Sequence, residues 1–190
     1  MQEQKQKKLL TILGGPHKNG ITAKMLVCVE HEAEEKGYEI NRINLYEQNV
    51  AFCTGCRRCI ETGECIQKDD AVKIAGLLKD CDIVVLAAPV YWANVPAAVK
   101  NLFDRILGAV MEETSTFPKG RLSGKQKFIF LTSCNTPFPF SWIFGQSRGA
   151  IRAVDEVFKT AGMKCGGHLV CTGKKKELPE SLTRRLQKIF

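Results

Sequence analysis

Short apolar runs alternate with amphipathic stretches along this chain, and no other sequence feature constrains its fold as strongly. The apolar runs cover residues 9–13, 39–45, 83–88, 128–133 and 168–172. Their apolar parts are nearly continuous, which is typical of parallel strands that are covered on both faces. We therefore predict an α/β fold with a doubly wound sheet of five parallel strands in the order 2-1-3-4-5.

The stretches between these runs have the periodicity of helices. Apolar residues three or four positions apart form one face of a helix. Such sets are Met25, Val29 and Ala33; Val99, Phe103 and Ile106; and Leu182, Leu186, Ile189 and Phe190 after Pro179. Pro96 suits the first turn of the second helix.

Length and composition favour one soluble domain. We predict a single domain over residues 1–190, with a cysteine-rich insert at 46–70. No apolar stretch has the length of a membrane span or a secretory leader, so we expect a cytoplasmic protein with no membrane partner. The net charge is +8, but the basic residues are scattered along the chain, so we expect no nucleic-acid partner.

A glycine-rich loop, residues 14–22, joins the first predicted strand to the first predicted helix. Backbone amides in such a loop, the helix dipole, a hydroxyl and basic groups all favour a bound phosphate. The side chains that contribute are His17, Lys18 and Thr22. A plain strand-to-helix turn is the alternative.

This loop does not match the fingerprint of dinucleotide-binding loops. That fingerprint needs Gly-x-Gly-x-x-Gly and an acidic residue about 20 positions later. The glycines here are Gly14, Gly15 and Gly20, and Glu47 comes more than thirty positions after Gly14. The loop suits a terminal phosphate better than a pyrophosphate.

Two further loops follow predicted strands and should reach the same edge of the sheet. Residues 89–96 place Tyr91 and Trp92 where a planar ring such as a flavin would lie, although aromatic loop residues more often only pack. Residues 134–142 add Phe138, Phe140 and Trp142. This third loop either walls the site or packs at a subunit interface, and both alternatives stay open.

These motifs, with Asp69-Asp70 and the run from Lys100 to Arg105, resemble the flavodoxin-like NAD(P)H-dependent FMN reductases, in particular their iron–sulfur flavoprotein branch. The resemblance extends from about Lys8 to Thr172. It implies noncovalent FMN, a homodimer or dimer of dimers, and electron transfer from NAD(P)H to an acceptor. It also implies the FMN-binding residues Gly15, His17, Asn19, Gly20, Ile21, Thr22, Pro89, Val90, Tyr91, Trp92 and Asn94.

Two positions depart from the pattern of this family. The family usually has serine where Gly15 stands and often asparagine where Ile21 stands. We expect the remaining polar residues of the loop and its backbone amides to hold the phosphate.

Four of the nine cysteines form a Cys-x2-Cys-x2-Cys-x5-Cys motif. This compact spacing is typical of [4Fe–4S] ligation, whereas zinc sites more often have paired Cys-x2-Cys knuckles separated by a longer arm. The predicted ligands are Cys53, Cys56, Cys59 and Cys65; zinc and free thiols remain alternatives. Buried packing roles are predicted for Cys28, Cys81, Cys165 and Cys171.

Three functions fit these features. The first is an FMN-dependent NAD(P)H oxidoreductase acting on a quinone, an azo or nitro compound, or free flavin; the second is an iron–sulfur flavoprotein that exchanges electrons with ferredoxin; the third is a noncatalytic flavin redox sensor. We predict no acid–base catalytic residue, because hydride transfer between two stacked rings needs none. We further predict that Asp104 and Arg105 form a structural ion pair at the dimer surface, and that His31 and His168 have surface or core roles.

Overall fold

The computed structural model describes residues 6–190 and contains a five-stranded parallel sheet. The strands are, in chain order, β1 (Lys8–Leu13), β2 (Glu39–Asn44), β3 (Ile83–Pro89), β4 (Met111–Glu112), β5 (Lys119–Gly120), β6 (Lys127–Cys134) and β7 (Lys164–Thr172). The large sheet has the order β2-β1-β3-β6-β7, while β4 and β5 form a separate antiparallel pair. The predicted fold and its 2-1-3-4-5 order are confirmed.

Helices cover both faces of this sheet. They are α1 (Ile21–Glu35), α2 (Arg58–Thr62), α3 (Asp70–Asp80), α4 (Ala97–Val110), α5 (Phe140–Ile143), α6 (Gln146–Thr160) and α7 (Glu180–Leu186). Residues of α1 and α7 pack with one face of the strands, and residues of α3, α4 and α6 pack with the other. The two apolar helix faces predicted in α1 and α4 are buried, so the core lies where the periodicity predicted it.

Several element boundaries differ from the prediction. β7 begins at Lys164, four positions before the predicted start at 168. Pro96 immediately precedes α4 and does not lie in its first turn. α7 ends at Leu186, and Ile189 and Phe190 pack against the core from beyond the helix. The start of β7 follows its pairing with β6, which begins at Lys127 and Lys164, and helix ends vary by one or two residues with the definition used.

Two predicted roles are wrong, and a third is confirmed only in part. Asp104 and Arg105 do not pair with each other: Asp104 binds Lys100, whereas Arg105 turns inward to Asp69. Of the four predicted packing cysteines, Cys81 and Cys171 are buried, Cys28 is partly buried and packs against the core, and Cys165 is exposed. Consecutive helical residues point about 100° apart, and this separates Asp104 from Arg105.

A buried polar contact fixes α1 on the sheet. Glu30 accepts hydrogen bonds from the Thr11 hydroxyl (2.6 Å) and from Arg42 Nη1 (2.6 Å). Burial raises the pKa of Glu30, although both hydrogen bonds oppose the rise. The contact ties the middle of α1 to β1 and β2, and so fixes the direction in which the start of α1 points. Among residues 6–190, no helix combines the length and the apolar character needed to cross a membrane.

Candidate functional site

The loop between β1 and α1, residues 14–20, lies against the loop that follows β3. The Gly14 amide donates a hydrogen bond to the Ala87 carbonyl (2.8 Å). A Cβ atom at Gly14 would lie 2.3 Å from Val99 Cγ2, and one at Gly15 would lie 2.9 Å from Pro89 Cδ. Both positions therefore need glycine, and the Pro89 ring accounts for the absence of a side chain at position 15.

This loop presents the start of α1 without a capping side chain. Gly20 occupies the N-cap position, so no side chain there can bind the first-turn amides of α1. Thr22 is buried, and its Oγ1 lies 3.7 Å from the Cβ position of Gly15. The amides and the dipole of a helix start of this kind favour negative charge. We call residues 14–22 the phosphate loop, after the ligand that the sequence predicts for it.

The other predicted side chains of the phosphate loop differ in their orientation. His17 and Asn19 are exposed at its rim. Ile21 packs its side chain with the apolar core of α1, so it offers only its backbone to the loop. Lys18 forms an ion pair with Glu47, and this hydrogen bond lowers the pKa of Glu47. His17 is therefore the basic side chain of the loop that is left without an ion pair among the described residues.

The loop after β3 is a tight hairpin. The amides and carbonyls of Tyr91 and Asn94 pair with each other at 2.8 and 3.0 Å. Trp92 and Ala93 form its tip with φ values of 51° and 57°, a left-handed conformation that is uncommon outside glycine. Trp92 is fully exposed, and Tyr91 is 41% exposed. The hairpin thus holds two aromatic rings out from the carboxyl edge of the sheet.

Neighbouring elements hold this hairpin in place. The Val90 amide donates to the Ser133 carbonyl at the end of β6 (2.9 Å), and Asn94 Oδ1 accepts from the Val95 amide (2.8 Å). On α6, a Cβ atom at Gly149 would lie 2.0 Å from the Ala93 carbonyl oxygen. Sequence reasoning missed Gly149, because nothing local distinguishes it from any other helical glycine.

The loop after β6 and the helix α5 carry a set of exposed apolar side chains. We call this set the aromatic patch: Phe138, Phe140, Trp142, Ile143 and Phe144, each at least 50% exposed. The rings of Phe140 and Phe144 stack with 6.1 Å between centroids, and Arg148 lies 5.4 Å above the Trp142 ring. Nothing in residues 6–190 covers this patch, so both predicted roles, a site wall and a subunit interface, stay predictions.

The cysteine segment, residues 49–69, lies along α4 and is tied to it by one buried side chain. Arg105 is inaccessible to solvent and makes two hydrogen bonds to the Asp69 carboxylate, of 2.6 and 2.9 Å. It also donates to the carbonyl of Ala51 (2.7 Å), to the carbonyl of Gln67 (3.2 Å) and to Cys65 Sγ (3.4 Å). One guanidinium therefore joins both ends of the segment.

The opposite charges of Arg105 and Asp69 stabilise each other. Burial disfavours the ionised Asp69, but hydrogen bonds from Arg105 and from the amides of Ala51 and Ala71 outweigh it, so the pKa of Asp69 lies below its ordinary value. The same pair raises the pKa of Arg105. Asp69 also caps α3 through the Ala71 amide, so the anchor and the helix start share one carboxylate.

The four cysteines of the motif lie on the outer part of the segment. Cys53 and Cys56 are exposed, and Cys59 and Cys65 are partly buried. The backbone of Cys59 packs on α4 at Gly108, where a Cβ atom would lie 2.0 Å from the Cys59 carbonyl oxygen. No three of these sulfurs lie within 4.8 Å of one another in the described chain. A single tetrahedral zinc would hold its thiolates about 3.8 Å apart, so this arrangement is not a preformed zinc site.

Comparison with known proteins identifies relatives of this chain. An iron–sulfur flavoprotein of Archaeoglobus fulgidus is 40% identical over 100 residues, which are 53% of this chain and 46% of the relative. An iron–sulfur flavoprotein of Methanosarcina thermophila is 34% identical over 98 residues, 52% of this chain and 51% of the relative. This chain thus spans about half the length of the curated relatives it matches.

Solved structures share the fold at low identity. An FMN-dependent NADH-azoreductase of Bacillus anthracis, in complex with FMN, superposes with a TM-score of 0.74 at 15% identity, covering 96% of this chain and 94% of the other. The NAD(P)H:quinone oxidoreductase of Methanothermobacter marburgensis gives the same four values. Residues 7–134 match the family described as NADPH-dependent FMN reductase. Because this match covers more than half of the chain, the protein belongs to the NADPH-dependent FMN reductase family.

Proposed function

We propose that this protein binds FMN and passes electrons from NADH or NADPH to a small acceptor, namely a quinone, an azo or nitro compound, or free flavin. The observation that carries this proposal is the uncapped start of α1 behind Gly14 and Gly15, directly beside the hairpin at residues 91–94. An anion site and an aromatic hairpin at one sheet edge suit the two ends of FMN.

The residues of the site fit the two parts of this cofactor. Backbone amides of the phosphate loop would bind the phosphate, with the Thr22 hydroxyl below it and the side chains of His17 and Asn19 at the rim. Gly15, Gly20 and Ile21 would contribute backbone only. The ring would lie against the loop that contains Pro89, Val90, Tyr91, Trp92 and Asn94. The close contact of Gly15 with Pro89 joins the two halves of the site without an intervening side chain.

When bound, FMN accepts two electrons as hydride from a reduced nicotinamide and passes them to an acceptor. The protein then has to hold the flavin and nicotinamide rings against each other. The paired backbone of Tyr91 and Asn94 fixes the hairpin, and the contact of Ala93 with Gly149 prevents its tip from moving toward α6. Tyr91 and Trp92 offer apolar faces on which a planar ring can stack.

A second candidate function is supported by the anchored cysteine segment. Cys53, Cys56, Cys59 and Cys65 would ligate a [4Fe–4S] cluster, and ferredoxin would then exchange electrons with the protein. Arg105 holds both ends of the segment to α4, and Asn101 on the same helix donates to the Val50 carbonyl (3.0 Å). When bound, such a cluster would supply one-electron transfer at the segment that α4 anchors. Arg58 would offset part of the charge of four thiolates, whereas Arg57 and Lys68 form ion pairs with Glu113 and Glu64.

The aromatic patch supports a homodimer or a dimer of dimers, in which a second copy covers it. Contiguous exposed apolar surface of this kind marks interaction sites in soluble proteins. We also propose that the protein works in the cytoplasm, where its nine cysteines would stay reduced.

Purification without oxygen, followed by a visible spectrum and cofactor analysis, tests these proposals. The first function predicts FMN, with no FAD, and oxidation of NADH or NADPH when a quinone is added. The second predicts iron and sulfide in nearly equal amounts that disappear in Cys56→Ala while FMN stays. A colourless protein that takes up no added FMN would contradict both. Iron-free protein after anaerobic reconstitution would contradict the second alone.

A further inference from the structure

Three side chains with metal-binding atoms converge at the far end of the sheet from the candidate cofactor site. They are Asp155 on α6 and Cys165 and His168 on β7. Cys165 pairs with Phe128 near the start of β6, whereas the cofactor loops follow the carboxyl ends of the strands. The function proposed above does not use this cluster.

A β-bulge brings Cys165 and His168 to one face of β7. In a regular strand, side chains three positions apart point to opposite faces. Cys165 lies opposite Phe128 and Gly167 lies opposite Ile129, so Gly166 is an extra residue between them. The additional residue shifts the alternation, as bulges do when they redirect a side chain. Glycine suits position 166, where a Cβ atom would lie 3.0 Å from Ile129 Cγ1.

The three donor atoms face one another closely. His168 Nε2 lies 3.0 Å from Asp155 Oδ1 and 3.5 Å from Cys165 Sγ, and all three atoms are within 4.8 Å of one another. Asp155 Oδ1 is buried and accepts no hydrogen bond from the described residues. Packing against the rings of Phe128 and Phe130 orients the imidazole. A buried carboxylate oxygen that lies within ion-pair distance of an imidazole nitrogen, yet accepts no hydrogen bond from it, is a group that a cation bound between them would satisfy.

We propose that Asp155, Cys165 and His168 form a zinc site, separate from the cysteine segment, with three protein ligands and a fourth position open to solvent. Sulfur, imidazole and carboxylate are the donors that Zn²⁺ takes in proteins. Cys165 is exposed, which gives the ion a route from solvent.

One neighbouring side chain, that of Lys159, opposes zinc binding by its positive charge. Lys159 Nζ binds Asp155 Oδ2 at 2.7 Å, so a positive charge lies directly behind the carboxylate ligand. Removing that charge should strengthen zinc binding, whereas removing a ligand should weaken it. These opposite signs separate a metal site from a merely structural cluster.

Alkylation of Cys165 in the metal-free full-length protein, with and without Zn²⁺, tests the site. Mass spectrometry that resolves Cys165 from Cys171 keeps the readout independent of zinc bound at the cysteine segment. We expect Zn²⁺ to slow labelling of Cys165 about tenfold or more, and His168→Ala to abolish this protection. His31→Ala, a matched exposed histidine on α1, should retain it. Unchanged labelling with Zn²⁺, or equal protection in His168→Ala, would overturn the proposal.

A variant that binds zinc more tightly makes the test independent of misfolding, because a misfolded protein would lose the site. Lys159→Met should lower the Zn²⁺ concentration that half-protects Cys165 by several-fold, while Lys73→Met, the same change at an exposed position on α3, should leave it unaltered. A midpoint in Lys159→Met that is equal to or higher than that of the parent protein would contradict a site that includes Asp155.

Discussion

The phosphate loop and the cysteine segment are held in the fold by opposite means. The phosphate loop is fixed by backbone: glycines pack against Pro89 and Val99, and the start of α1 supplies the amides. The cysteine segment is fixed mainly by a side chain, since Arg105 contacts Asp69, Ala51 and Gln67, and Asn101 adds a hydrogen bond to Val50. A backbone-built site tolerates most changes of surrounding side chains, whereas a site held by one buried ion pair depends on that pair.

The largest effect should come from Arg105→Met, which leaves Asp69 without its buried partner. Breaking a buried ion pair from one side costs about 3–5 kcal/mol, so the free energy of unfolding in urea should fall by that order. Alkylation of Cys59 and Cys65 should accelerate, while FMN binding below the unfolding temperature should persist. Lys100→Met removes the exposed pair with Asp104 on the same helix and should cost no more than about 1 kcal/mol.

Two other outcomes for Arg105→Met would contradict this comparison. A loss in Arg105→Met no larger than that in Lys100→Met would show that the segment has other anchors. A parallel loss of FMN affinity in the folded variant would show that the two regions are not held independently.

A smaller effect is expected from Gly149→Ala, which sharpens the account of the hairpin. The new Cβ atom would lie 2.0 Å from the Ala93 carbonyl oxygen, so the hairpin or α6 must move. We expect a loss of about 1–3 kcal/mol in unfolding free energy, as for other overpacked sites, together with weaker FMN binding. Gly76→Ala, inside α3 with open space around it, should instead stabilise by about 0.5–1 kcal/mol. Equal stability changes in the two variants would contradict the contact.

The smallest effect on stability should come from Trp92→Ala. The side chain is fully exposed, so unfolding free energy should change by less than about 0.5 kcal/mol. The Kd for FMN should rise about threefold to tenfold if the ring stacks there, since such contacts are worth about 0.5–1.5 kcal/mol. Phe117→Ala, another exposed aromatic change, is the control. An unchanged Kd and reduction potential would remove Trp92 from the site.

The sheet and the strand-to-helix position of the glycine-rich loop could be predicted because their signals are local. Apolar runs, helical periodicity and glycines at a strand-to-helix junction each act within a few residues of one another. The strand order followed from the fold class, and the structure confirms it.

Arg105, Gly149 and the Asp155 cluster could not be predicted, because each depends on a partner distant in the sequence. Arg105 and Asp69 are 36 positions apart, and the preceding residue, Asp104, offered a nearer partner of the right charge. Gly149 matters only because the Ala93 carbonyl lies against it. Cys165 and His168 share a face only because Gly166 forms a bulge, which a period-two pattern does not reveal.

The central claim is that the start of α1 holds the phosphate of FMN, and Thr22→Asp tests it most directly. A carboxylate there would face the phosphate, and like charges in contact cost several kcal/mol, so the Kd for FMN should rise at least about a hundredfold. Val27→Asp adds the same charge to the exposed face of α1 and should leave the Kd within about threefold of the parent value. Folded Thr22→Asp protein that binds FMN as tightly as Val27→Asp would contradict the claim.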